Sequence, residues 1–258
     1  MRTLHLQSKL MHGPDVKRAQ ILLHGANAFH KNFHPGHADG QYGPYTAAAT
    51  HRAKHYLGYP KKLENSSFGP TLDAYLSGSA KLPRMYRLRS QRRIAKMQRR
   101  KVMRLAALDE MRQNLGLAEN PQGSNHNWMV DWWYSRKGSA AAWCNISVSR
   151  AYIVAGSKAF KRGVNFAYVP SMEAATKDPK SGLMRIHTHD VRASDIITFE
   201  FSGDDTADHT GMAEGPMKSG NVPTIEGNTD SAGGAEGGQQ LRKDRPESQI
   251  HMVIRVIF

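Results

Sequence analysis

The stretch Ser139-Ala140-Ala141-Ala142-Trp143-Cys144-Asn145-Ile146-Ser147 holds the one cysteine of the chain. Small residues lead into Trp143-Cys144, and the apolar run 146–155 that follows is compatible with a helix closing at Gly156. This spacing places the thiol at the first turn of a helix, where backbone N–H groups lack intrahelical acceptors and the dipole favours negative charge. Both effects stabilise a thiolate, the form of cysteine that attacks carbonyl carbon. A lone cysteine is more commonly a small buried hydrophobe. What decides between the two is whether the neighbouring sequence supplies a base and a group to orient it.

Around that helix the pattern divides. A helical segment, 128–134, precedes it, and strand-like segments follow: 195–201, 222–225 and a β-branched terminal run, 251–258. Helices first and strands second predict an α+β domain, with helices packed on one side of an antiparallel sheet. Of the histidines here, His209 stands in Asp208-His209-Thr210-Gly211, directly after the Gly203-Asp204-Asp205 turn and at the start of a small-residue strand. Seventeen residues on comes Glu226-Gly227-Asn228, at the end of the 222–225 strand. A hairpin of these two strands lets Glu226 or Asn228 accept the imidazole Nδ1–H, leaving Nε2 to the thiol. Taken singly each is an exposed turn residue. Cysteine on a helix, histidine on a strand and a carboxylate at a strand end, in that order, form a nucleophile–base–orienter set.

These pieces resemble CHAP domains, the cysteine- and histidine-dependent amidohydrolase/peptidases of papain-like fold. The matching residues are Pro121-x-Gly123-Ser124-Asn125, Trp143-Cys144, 195–199, Asp208-His209-Thr210-Gly211 and Glu226-Gly227-Asn228, covering nearly all of 119–258. The resemblance implies Cys144 as nucleophile, His209 as base, Glu226 as orienting carboxylate and Asn228 as an auxiliary polar group. The sequence departs at Thr210, usually valine, and at Ala193-Ser194-Asp195, usually Gly-Asp. Some relatives hold calcium in an acidic loop before the cysteine. Here only Asp131 is acidic between Asn120 and Cys144, so no metal and no cofactor is expected.

Outward from this domain, composition sets bounds. The chain of 258 residues has room for two modest domains. One cysteine excludes a disulfide framework and a cysteine-rich zinc site, and fits a reducing compartment. The start, Met1-Arg2-Thr3-Leu4-His5-Leu6, has no apolar core after its charge, so no signal peptide is expected. No apolar run approaches the roughly 20 residues of a membrane span. The net charge of +14 directs the protein to polyanions.

Residues 1–80 predict a small helical module. Helices are expected from Asp15 as N-cap, over 46–57, and near 71–76. The module resembles the three-helix peptidoglycan-binding unit of many cell-wall hydrolases. The carrying residues are Val16, Gln20 and Leu23, the turn Asp39-Gly40-Gln41-Tyr42-Gly43-Pro44-Tyr45-Thr46, and Gly69-Pro70-Thr71-Leu72. Three histidines, at 30, 34 and 37, lie in a Pro/Gly-broken loop and read as solvated rather than as ligands.

Between the two lies a connector, 81–118. From Lys81 to Arg104 it carries eleven Lys or Arg and no Asp or Glu, and from Pro83 to Gly116 no proline or glycine intervenes. A cationic helix of roughly 30 residues is expected. It suits an anionic wall polymer or lipid surface, or serves as a solvated spacer. Nucleic acid ranks below these because Tyr86 is its one aromatic residue. The whole is consistent with a monomeric phage endolysin that waits in the host cytoplasm and reaches the cell wall at lysis. It would cut a muramoyl–alanine amide or a stem or cross-bridge peptide bond. The rivals are a non-catalytic wall-binding virion protein and a basic nucleic-acid-binding protein.

Overall fold

Three helices in the first part of the chain open on the same dipeptide, Gly-Pro. They are α1 (Pro14–His24), α2 (Pro44–Tyr56) and α3 (Pro70–Ser77). Proline at the first helical position brings a pre-set φ and no N–H to leave unpaired. Asp15 is therefore not the cap of α1: Gly13 takes that place and Pro14 the first turn. The computed structural model describes residues 1–163, 166–231 and 237–257, in two compact units, Met1–Gln98 and Arg99–Phe258.

The first unit is built on a core of Val16, Ala19, Leu23, Phe33, Tyr42, Ala49, Phe68, Leu72 and Leu76. Its buried polar centre is Gln20 on α1. The Gln20 amide donates to Asp39 Oδ1 at 2.8 Å and Thr46 Oγ1 at 3.2 Å, and its carbonyl accepts from Gly40 N at 2.8 Å. The glutamine and the 39–46 turn, far apart in sequence, are thus bound at one point.

The cationic helix exists as α4 (Arg84–Gln113), 30 residues long. Its first half belongs to the first unit, where Tyr86 meets Tyr59 with ring centroids 4.8 Å apart and Arg89 Nε donates to Gly58 O at 2.7 Å. Its second half buries Ala107, Leu108 and Met111 in the core of the second unit. The division into units therefore falls inside the helix that the sequence marks as a connector.

In the second unit, helices α5 (Trp128–Tyr134), α6 (Cys144–Val154) and α7 (Val169–Ala175) precede a six-stranded sheet. Its strands are β1 (Leu183–Ile186), β2 (Ile196–Phe199), β3 (His209–Ala213), β4 (Asn221–Thr229), β5 (Gln239–Pro246) and β6 (Ile250–Val256). Their order is β1-β6-β2-β3-β4-β5, and every pairing is antiparallel. The α+β class holds. Phe258, expected to close the last strand, lies outside the described residues. Helix α6 packs on β3 and β4, with Val148, Ala151 and Tyr152 against Met212 and Ile225. Close approach depends on Gly227, where a Cβ would come 2.6 Å from Ser147 Oγ and 2.9 Å from its Cβ. Among the described residues no helix is long and apolar enough to cross a membrane.

Candidate active site

Cys144 is the first residue of α6, and the cap position before it is Trp143, which makes no side-chain capping bond. The neighbouring α5 differs: Asn127 caps it, accepting from Met129 N and Val130 N at 2.9 and 3.2 Å. An uncapped helix start leaves its first N–H groups available to a developing negative charge beside the thiol. Trp143 is itself fixed. Its indole, fully buried, donates to the buried carboxylate of Glu119 at 3.0 Å.

The thiol is 4% exposed and sits among Val169 of α7 and Ala207, two residues before His209. His209 opens β3, with its side chain wholly buried. Phe199 and Phe201 lie beside it, each with its ring centroid 5.9 Å from the imidazole. Its Nε2 is 3.0 Å from Glu226 Oε2. Burial alone lowers the proton affinity of the imidazole, but the neighbouring Cys144 and the bonded carboxylate of Glu226 reverse this and raise its pKa to about 9.

Glu226 lies within β4 rather than at its end, because the strand runs on to Thr229. Its carboxylate accepts from Thr224 Oγ1 at 2.6 Å and from Arg245 of β5, whose Nε and Nη2 approach at 2.9 and 2.6 Å. Burial alone would raise the pKa of Glu226, yet the bonds to Arg245 first, and then His209, bring it down to about 2. An ionised carboxylate accepts only, so the proton between the two groups is carried by His209 Nε2. That corrects the expected tautomer. Nε2 faces Glu226 and Nδ1, buried without a hydrogen-bond partner among the described residues, is the nitrogen left for Cys144. The reason is geometric: Glu226, on the adjacent strand, meets the far end of the ring.

A glycine makes that reach feasible. A Cβ at Gly211 would lie 2.5 Å from Glu226 Cγ, so any other residue there forces the Glu226 side chain or the strand to shift.

Three of the four expected residues, Cys144, His209 and Glu226, are thus brought together. Asn228 is not joined to them. Its Nδ2 donates to Asn125 Oδ1 at 3.2 Å, which ties the end of β4 to the 120–126 loop. Arg245, Glu119, Gly211 and Gly227 escaped sequence reasoning as site residues. For the glycines there was a signal, each being a glycine inside a strand, a position that marks close approach. Asn145, next to the thiol, is fully buried with neither amide atom partnered among the described residues. Also among the described residues, no group of three His, Cys, Asp or Glu is arranged to hold a metal ion.

The arrangement can perform acyl transfer. Nδ1 can take the thiol proton, Nε2–H is anchored, and the helix start offers N–H donors. No protein-family profile matches the chain, and no curated protein matches it. Among solved structures, the protein described as "The crystal structure of Ly7917" is 16% identical over 60% of this chain and 62% of that chain, with a TM-score of 0.33.

Proposed function

We propose that this chain is a peptidoglycan hydrolase of the phage-endolysin type. In this reading the second unit is a CHAP-like cysteine amidohydrolase and the first is a peptidoglycan-binding three-helix module. The observation that carries it is the sole cysteine at an uncapped helix start, beside a histidine whose far nitrogen is anchored on a buried carboxylate. In the mechanism, His209 Nδ1 holds the proton taken from the thiol, and Cys144 Sγ attacks an amide carbonyl as the thiolate. The oxyanion takes hydrogen bonds from the N–H of Cys144. Collapse breaks the C–N bond, and His209 returns the proton to the leaving amine. Water, deprotonated by the same nitrogen, then attacks the thioester and releases the acid and the thiol.

The wall as substrate rests on two other features. The turn 39–46, locked on Gln20, resembles that of wall-binding modules, and a charge of +14 concentrates the protein at an anionic wall. The cationic helix α4 adds to that attraction, toward wall polymer or anionic lipid. The protein acts as a monomer, held in the host cytoplasm until lysis.

The test is digestion of purified cell walls, followed by mass spectrometry of the soluble products. New amino termini with intact glycan strands are expected, and their sequence tells a muramoyl–alanine amidase from a stem or cross-bridge endopeptidase. Binding without any release would favour the non-catalytic virion protein. Steeply salt-dependent DNA affinity without wall binding would favour the nucleic-acid reading.

A further inference from the structure

Arg245 touches none of the reacting atoms, yet it is 4% exposed and lies against the site from β5. Its guanidinium is 5.2 Å from the ring centroid of Phe199 and 4.9 Å from that of Phe201, the two rings that also flank His209. A carboxylate offers about four acceptor positions. On Glu226, Thr224 and Arg245 Nε take Oε1, while His209 and Arg245 Nη2 share Oε2. One anion therefore stands between two cationic side chains.

A nucleophilic thiol–imidazole pair holds one proton, as thiolate and imidazolium. Beside Glu226 alone that state leaves one negative charge buried, and a second proton on the pair would remove it. Uncompensated buried charge is costly, so Glu226 alone favours the doubly protonated, unreactive pair. With Arg245 added, the charges of thiolate, imidazolium, carboxylate and guanidinium sum to zero. We infer that Arg245 is a positioning residue that cancels the charge of Glu226, so that the Cys144–His209 pair is held with one proton rather than two. Glu226 can then orient the ring without drawing an extra proton onto it.

Other groups facing this set come from the elements around it. The turn 247–249 presents Gln249, whose Oε1 accepts from Arg245 Nη1 at 3.5 Å. The 200–208 loop that leads into His209 carries two acids engaged within the loop itself, Asp208 accepting from Phe201 N at 3.0 Å and Glu200 from Ser202 Oγ at 3.0 Å. Helix α7 presents Val169.

The test needs no substrate. The rate of iodoacetamide alkylation of the single cysteine is followed by intact mass across pH, on the full chain. Arg245→Met moves the profile to higher pH by about 1–3 pH units, the displacement typical of losing a nearby opposite charge. At a fixed pH on the acid side that is a rate loss of about tenfold or more. Glu226→Gln moves it to lower pH, and the double variant, neutral again, falls back between the singles. Arg245→Lys, which keeps the charge, stays near the wild type. The inference is overturned if Arg245→Met leaves the profile in place, or if the double variant is displaced as far as Arg245→Met. Should Arg245→Met not fold, a Lys variant displaced upward by a full pH unit overturns it equally. The proposal rests on the Cys–His–Glu reading of the site but not on the wall as substrate. A protein that leaves walls uncut can still show the compensation, and the two failures stay distinct.

Discussion

Among the described residues a histidine–glutamate–arginine trio occurs twice. In the first unit His55 Nδ1 lies 3.2 Å from Glu64 Oε2 while Arg93 Nη2 lies 2.5 Å from Glu64 Oε1. In the second, His209, Glu226 and Arg245 repeat the pattern. The difference lies in what surrounds them. The His55 side chain is 42% exposed and has no thiol beside it, and Arg93 also donates to the backbone oxygens of His55 and Tyr59 at 2.6 and 3.0 Å. That trio staples a chain turn to α4. His209 is sealed from water, presents Nδ1 to the only cysteine, and has its proton fixed at Nε2. Burial and a neighbouring thiol set the second trio apart from the first.

Substitutions at matched positions sharpen that contrast. The largest effect is expected at the histidines: His209→Gln lowers kcat/KM on cell walls by about 10²- to 10⁴-fold, the span of general acid–base catalysis. His55→Gln leaves kcat/KM within about twofold of wild type, since an exposed structural group is not called on in the transition state. A matching loss at His55 would break the distinction. Next comes Gly211→Val, which touches no reacting atom. By shifting the Glu226 side chain or its strand it should cost about 10²-fold in kcat with little change in wall binding, as small misplacements do. Wild-type turnover in that variant would show that Glu226 is not needed where it stands.

The smallest effect is on stability. His209, raised to about 9 against burial by Cys144 and Glu226, supports the fold fully below its ordinary 6.5 and ceases to as the pH climbs through about 9. Glu226, held at about 2 against burial by Arg245 and His209, contributes above its ordinary 4.5 and ceases to as the pH falls through about 2. Melting followed by calorimetry should therefore be highest between these ordinary values and drop by several degrees toward alkaline pH, less so in Glu226→Gln. Glu64→Gln should leave the alkaline slope unchanged. An alkaline slope that persists whole in Glu226→Gln would point to another group.

Much of this was legible in residue order because its signals are local. Trp143-Cys144 before an apolar run placed the thiol at a helix start, and His209 after a glycine–aspartate turn marked a strand end. The uninterrupted cationic stretch gave α4 nearly to its ends. What escaped was long-range. Strand β5 reads Gln-Gln-Leu-Arg-Lys-Asp-Arg-Pro, too polar to register as a strand, so nothing singled out Arg245 from Arg242 and Lys243. The imidazole nitrogen that faces the thiol depends on which edge of the ring the neighbouring strand meets, and residue spacing does not encode that. Glycines 211 and 227 make space for partners that only the folded sheet supplies.

The central claim is that Cys144 is the nucleophile of a wall hydrolase. Cys144→Ala, folded as judged by its melting curve, should bind purified cell walls as the wild type does. Its release of soluble fragments bearing new amino termini should fall by about 10⁴-fold or more, as loss of a nucleophile does. Fragment release within tenfold of the wild-type rate would contradict the account.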